Sequence, residues 1–273
     1  MDTIPASAPS SASLAEPPMQ TLVDDAPANA LAFDAADGVA TEVDAAFQAT
    51  CEARDRFWTG VGQIEPDLIG YLISPELMGD PAWPTTRQAF RVVRRERSVI
   101  VATDGLSDPF QDLSPAGNGF EMELFVETES LSLEVLKGPG VEAIKTSWPF
   151  ALVEHVARVV ADFGGVRHNL DEMGVISLEL PGLANDPLIS EQVPARFIDG
   201  DTLSVLIGVP TTTAPESILD APNAPVRVSA ILLLTAAELQ HVRSGEEAAR
   251  RQILAHLAAH DGHICSLERP SAV

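Results

Sequence analysis

Residues 120–126 show the clearest pattern in the chain. Phe120, Met122, Leu124 and Val126 alternate with Glu121, Glu123 and Phe125, and Glu127 follows. A period of two predicts a strand with one buried face and one acidic, solvated face. Residues 89–94 and 99–103 are rich in β-branched side chains and are separated by the charged turn Arg95-Glu96-Arg97, which predicts a hairpin. Residues 175–180, 203–209 and 226–234 read as further strands. The last is apolar almost throughout, which predicts a central strand covered on both faces.

Helical spacing dominates elsewhere. Val43, Phe47, Cys51, Phe57 and Trp58 recur near a period of 3.6, with Thr41 and Asp44 as a cap and Gly60 and Gly62 as the stop. Leu152, Val153, Val156, Val159, Val160 and Phe163 form a single apolar stripe. Ser147 is the expected cap of this helix, Pro149 sits in its first turn, and Gly164-Gly165 ends it. Two capping boxes follow, Thr235 with Glu238 and Ser244 with Glu247, each predicting a helix start. Between the first helix and the hairpin stand Pro66, Pro75, Pro81 and Pro84, which predict short turns and one brief element.

Residues 1–40 differ from the rest. They are rich in Ala, Pro, Ser and Asp, contain no basic side chain and show no periodicity, so a disordered tail is expected there. The organisation that results is a tail over residues 1–40 and one domain over 41–273. Its class is α/β (α+β), with a mixed, partly antiparallel β-sheet packed by helices.

Composition narrows the function. Forty acidic and 17 basic side chains leave a net charge of -23. Such a field repels nucleic-acid phosphates and anionic membrane surfaces, so neither partner is expected. It suits a basic partner, or high solubility alone. The first 18 residues lack a basic n-region and an apolar core, so no signal peptide is read there. Two cysteines make no disulfide framework, and the expected location is the cytoplasm.

Three motifs come in a particular order. Thr103-Asp104-Gly105-Leu106-Ser107-Asp108-Pro109-Phe110 follows the second strand. Gly117-Asn118-Gly119-Phe120-Glu121-Met122-Glu123-Leu124 comes next, and Ser147-Trp148-Pro149 opens the amphipathic helix. This order resembles the N-terminal domain of the Suppressor of fused family, and most of all its bacterial members. The motifs span residues 99–163, with looser similarity over about 65–263. The resemblance implies a mixed α/β fold, no enzymatic activity, no cofactor and a protein or peptide partner. Animal members sequester transcription factors by holding an extended peptide as an added strand between two domains, and the second domain has no counterpart here. Some bacterial members look like immunity proteins that neutralise toxins. Carried onto this chain, the resemblance implies a partner-binding loop formed by Asp104, Leu106, Asp108 and Phe110, with Asp112 the nearest match to a further acidic position. Phe110 stands where the animal proteins have tyrosine.

Read from the residues alone, the same loop has a structural alternative. Asp108 before Pro109 is turn chemistry, and aspartates in turns commonly bond nearby backbone N–H groups. A rival function, a hydrolase or metal-dependent enzyme, would use Asp104, Asp108 and Glu121 as converging carboxylates. Arg87, Arg91, Arg94, Arg95 and Arg97 form either an anion patch or, as expected here, cross-strand ion pairs with the acidic strand. His256, His260, His263 and Cys265 are zinc-type donors, but their spacing matches no finger, and an ordinary helix end is expected.

Overall fold

A computed structural model of the chain describes residues 30–110, 117–258 and 264–273, with backbone alone for 30–43. The chain divides into two units, Met1–Gly38 and Val39–Val273. The first helix, α1 (Ala30–Val61), starts ahead of Thr41, the expected cap. Residues 1–29 of the expected tail lie outside the described residues.

The described strands join one mixed sheet. Two short edge strands, β1 (Gln63–Ile64) and β2 (Ile69–Gly70), both pair with β3 (Ala89–Arg94). The predicted hairpin forms from β3 and β4 (Val99–Thr103), and β5 (Met122–Thr128) lies antiparallel beside β4. Two short helices, α2 (Leu133–Lys137) and α3 (Glu142–Lys145), then lead into α4 (Trp148–Phe163) and α5 (Val166–Met173). Next come β6 (Ile176–Leu180), α6 (Pro187–Ser190), β7 (Leu203–Val209), β8 (Ser217–Ile218) and β9 (Val226–Leu233). The last helix is α7 (Ala236–Ala258). Strand order is β1-β3-β4-β5-β9-β7-β6, with β2 on β3 and β8 on β9. Among the described strands, only the β5–β9 pair is parallel, which the long connection between them, through α4, α5 and the β6–β7 pair, allows. The apolar run of β9 is central as predicted, between β5 and β7.

Burial of β5 differs from the one-faced expectation, since all seven of its residues are buried. The registers explain why. Phe90 lies opposite Thr103, and Arg91 opposite Ala102, which in turn faces Phe125. Phe90 therefore shares one face with Leu124, and Arg91 shares the other with Phe125. Phe150 of α4 meets Phe90 edge-on at 5.2 Å, and α4 packs along β4 and β5. Trp58 of α1 meets Phe125 edge-on at 5.8 Å. A helix thus covers each face. Glu123 is buried against Arg54 of α1, and Glu127 is buried among Ser98, Thr213 and Arg95. Burying a side chain such as Phe125 contributes about 2 kcal/mol.

Caps follow the sequence in part. The Thr235–Glu238 box is closed both ways: Thr235 N donates to Glu238 Oε2 at 2.7 Å, and Glu238 N donates to Thr235 Oγ1 at 3.2 Å. The second box does not close. Ser244 donates to the His241 carbonyl, and a kink at Glu246 divides α7 in two. Ser147 likewise caps nothing with its side chain. It donates to Ile144, and Gln192 Oε1 takes the free N–H of Trp148 instead. Among the described residues, no helix is long and apolar enough to cross a membrane.

Candidate functional site

Thr50, Arg54 and Trp58 stand four residues apart on α1, and all three are fully buried. That spacing drives a guanidinium into the sheet. Arg54 Nε bonds Asp104 Oδ1 at 2.5 Å, Nη2 bonds Asp108 Oδ1 at 2.6 Å, and Nη1 bonds Ser107 Oγ at 3.0 Å, with Glu123 at 3.6 Å. Arg91 reaches the second oxygen of Asp104 at 2.6 Å and also pairs with Asp55. Arg87 bonds Asp108 at 3.3 Å and the Asp104 carbonyl at 2.8 Å, and Thr85 donates to Asp108 at 3.0 Å. Glu123 accepts from the backbone N–H groups of Gly105 and Ser107 and from the hydroxyls of Ser107 and Thr103.

Three guanidiniums thus face three carboxylates. Burial would raise Asp104, but Arg54, then Arg91 and Arg87, outweigh it and hold this carboxyl below its ordinary range. Burial pushes Glu123 up, against the pull of Arg54. Burial would lower Arg54, yet Asp104, Glu123 and Asp108 raise it, so it stays charged.

The two carboxyls shift stability in opposite directions. Asp104 is depressed, so its contribution is present above the ordinary aspartate value of about 4 and is lost as pH falls through its folded value. Glu123 is raised, so stability falls as pH climbs from the ordinary glutamate value of about 4.3 to its folded value. Denaturant midpoints followed against pH are expected to lose their acid-side fall in Asp104→Asn and their higher-pH decline in Glu123→Gln. Unchanged profiles in both variants would refute the assignment.

This network relocates most of the expected partner loop. Asp104, Leu106 and Asp108 are at most 1% exposed, so their side chains build the loop from inside rather than face a partner. Asp112 lies outside the described residues. Phe110 is half-buried at the surface, where it meets Phe120 edge-on at 5.7 Å.

The second motif locks onto the first through backbone. Phe120 N donates to the Leu106 carbonyl at 2.8 Å. Gly119 has φ +52°, and a Cβ there would sit 2.4 Å from the Leu106 oxygen and 2.5 Å from that of Asp108. Glu121, also at positive φ, turns outward and is exposed. Beside Phe120 opens a cleft of about 400 Å³, bordered by Glu121, Val160, Gly164 and the α5 side chains Arg167 and His168.

The carboxylate trio of the enzymatic reading does not assemble. Asp104 and Asp108 are engaged by arginines, whereas Glu121 is exposed at the cleft. Among the described residues, no group of three or more His, Cys, Asp or Glu side chains is placed to hold a metal ion. His260 and His263 lie outside the described residues. His256 is exposed, and Cys265 is buried with Leu233 N donating to its sulfur.

The arginine cluster does form ion pairs, for the most part with partners other than those expected. Arg95 reaches the β5 strand, at Glu127. Arg97 pairs with Glu129 just beyond it. Arg94 bonds Glu65 and the carbonyls of Val135, Leu136 and Gly140. Sequence reasoning missed Arg54 and the inward role of Glu123. The available signal was Arg54's position on the Thr50–Trp58 face, one turn before a buried tryptophan. Compared with models of protein families, with curated proteins and with solved structures, the chain matches none.

Proposed function

We propose that this chain is a non-enzymatic protein-binding module of the Suppressor of fused type, a regulator or immunity-like inhibitor that docks a basic partner segment at Phe110. One observation carries the reading. Phe110 and Phe120 form an aromatic pair at the surface, fixed from below by the Arg54 network and the Gly119 backbone contact. A rigid aromatic beside a cleft is the usual form of a binding hot spot, because little entropy is lost when a partner covers it. The rival reading, a hydrolase or metal-dependent enzyme on Asp104, Asp108 and Glu121, needs free and converging oxygens. Here the two aspartates spend theirs on arginines. The free thiols Cys51 and Cys265 fit a reducing compartment such as the cytoplasm.

Phe110→Ala is the test. The expected result is loss of a captured partner from host extract, with the melting point unchanged. Truncating an interfacial aromatic commonly costs about 2 kcal/mol of binding or more, whereas a core Phe→Ala costs about 3–5 kcal/mol of stability. A collapse in stability, or undiminished capture of the partner, would refute the site.

A further inference from the structure

A second surface uses none of the residues of the Phe110 shelf and does not rest on that reading. From Glu65 to Asp80 the chain reads Glu-Pro-Asp-Leu-Ile-Gly-Tyr-Leu-Ile-Ser-Pro-Glu-Leu-Met-Gly-Asp, with four acidic side chains and no basic one. The segment leaves the sheet at β2, where Ile69 is buried against β3, and then turns its apolar side chains outward. Leu72 is fully exposed, Leu77 is 76% and Met78 79% exposed, and Ile73 is exposed beside them.

Tyr71 is tied by its hydroxyl to Glu154 of α4, and Asp80 pairs with Arg158 one turn further along the same helix. Between these ties, Pro75–Met78 forms a 3-10 turn with Pro75 buried, closed by Gly79 at φ +95°. Leu72, Leu77 and Met78 are therefore held out by an anchored turn. Asp67 and Glu76 are exposed beside them.

We infer that this segment is a docking surface for a partner protein's amphipathic segment, whose apolar side chains are flanked by Lys or Arg. Contiguous exposed apolar groups rimmed by polar ones mark interaction sites in soluble chains. Charge selects the occupant. A second copy of this chain would bring Asp67 and Glu76 against their own equivalents, and like charges juxtaposed across an interface are unfavourable. An anionic membrane surface is repelled by the same rim. A cationic amphipathic segment meets both the apolar side chains and the acids, as in helix-in-groove recognition.

The test uses the full chain labelled with 13C at its methionine methyls and a synthetic amphipathic Leu/Lys peptide as probe. The Met78 signal is assigned through Met78→Leu. The probe is expected to shift the Met78 resonance and leave that of buried Met122 in place. Leu72→Ser with Leu77→Ser, both at exposed positions, is expected to weaken probe binding about tenfold or more. A same-composition scrambled peptide is expected to bind much more weakly, and Phe110→Ala to bind the probe like the parent chain. That last arm separates failure here from failure of the Phe110 reading. The inference is overturned if the probe does not bind, if it leaves Met78 unshifted, or if scrambled and amphipathic peptides bind alike. It is also overturned if anionic vesicles or self-association of the chain cover Met78 instead.

Discussion

Replacing Arg54 with methionine is expected to destabilise the chain by about 3–5 kcal/mol, the usual consequence of removing one partner from a buried ion network. Methionine nearly matches the volume, so the loss is electrostatic rather than steric. It strands Asp104, Asp108 and Glu123 together in a buried site, with Arg91 and the partly exposed Arg87 left to balance them. Arg54→Lys is expected to rescue little. A single ammonium cannot reproduce a fork that meets Asp104, Asp108 and Ser107 through three different nitrogens. Chemical denaturation of the three proteins at neutral pH decides the matter. A methionine variant within about 1 kcal/mol of the parent would mean that water or rearranged arginines satisfy the carboxylates, and the network would lose its structural role.

Gly119→Ala is the second large effect. At φ +52° any L-residue is strained, at roughly 1 kcal/mol. The added methyl would also press on the backbone oxygens of Leu106 and Asp108 and on the Pro84 ring, all at or below 2.6 Å. Two of these are backbone atoms with no rotamer to change, so the 104–110 loop and the 117–121 segment must separate. The expected loss is about 3 kcal/mol in all, with weaker partner binding because Phe120 moves away from Phe110. Calorimetric melting of Gly119→Ala beside Gly117→Ala gives a matched control, since nothing lies within 4 Å of a Cβ at Gly117. Equal melting points for the two variants would show that the close backbone approach carries no energy.

Local pattern determined much of this protein. The β3–β4 hairpin, the central β9, the amphipathic α4 and the Thr235–Glu238 box were legible because each rests on residues within a turn or two of one another. Period two, period 3.6 and cap spacing are properties of a short window. Three outcomes were decided by the tertiary structure. β5 reads as one-faced because its glutamates look solvated, and only segments distant in sequence, Arg54 of α1 at Glu123 and Thr213 at Glu127, make them internal. Asp104 and Asp108 read as turn residues for a partner to touch, yet their charge is answered by Arg54, 50 and 54 residues earlier in the chain. The Ser147 cap yields to Gln192, 44 residues on from Trp148. Each of these depends on a contact between distant segments, and no window contains both partners. A buried carboxylate and a solvated one have the same sequence, and they differ only in what the fold brings to meet them.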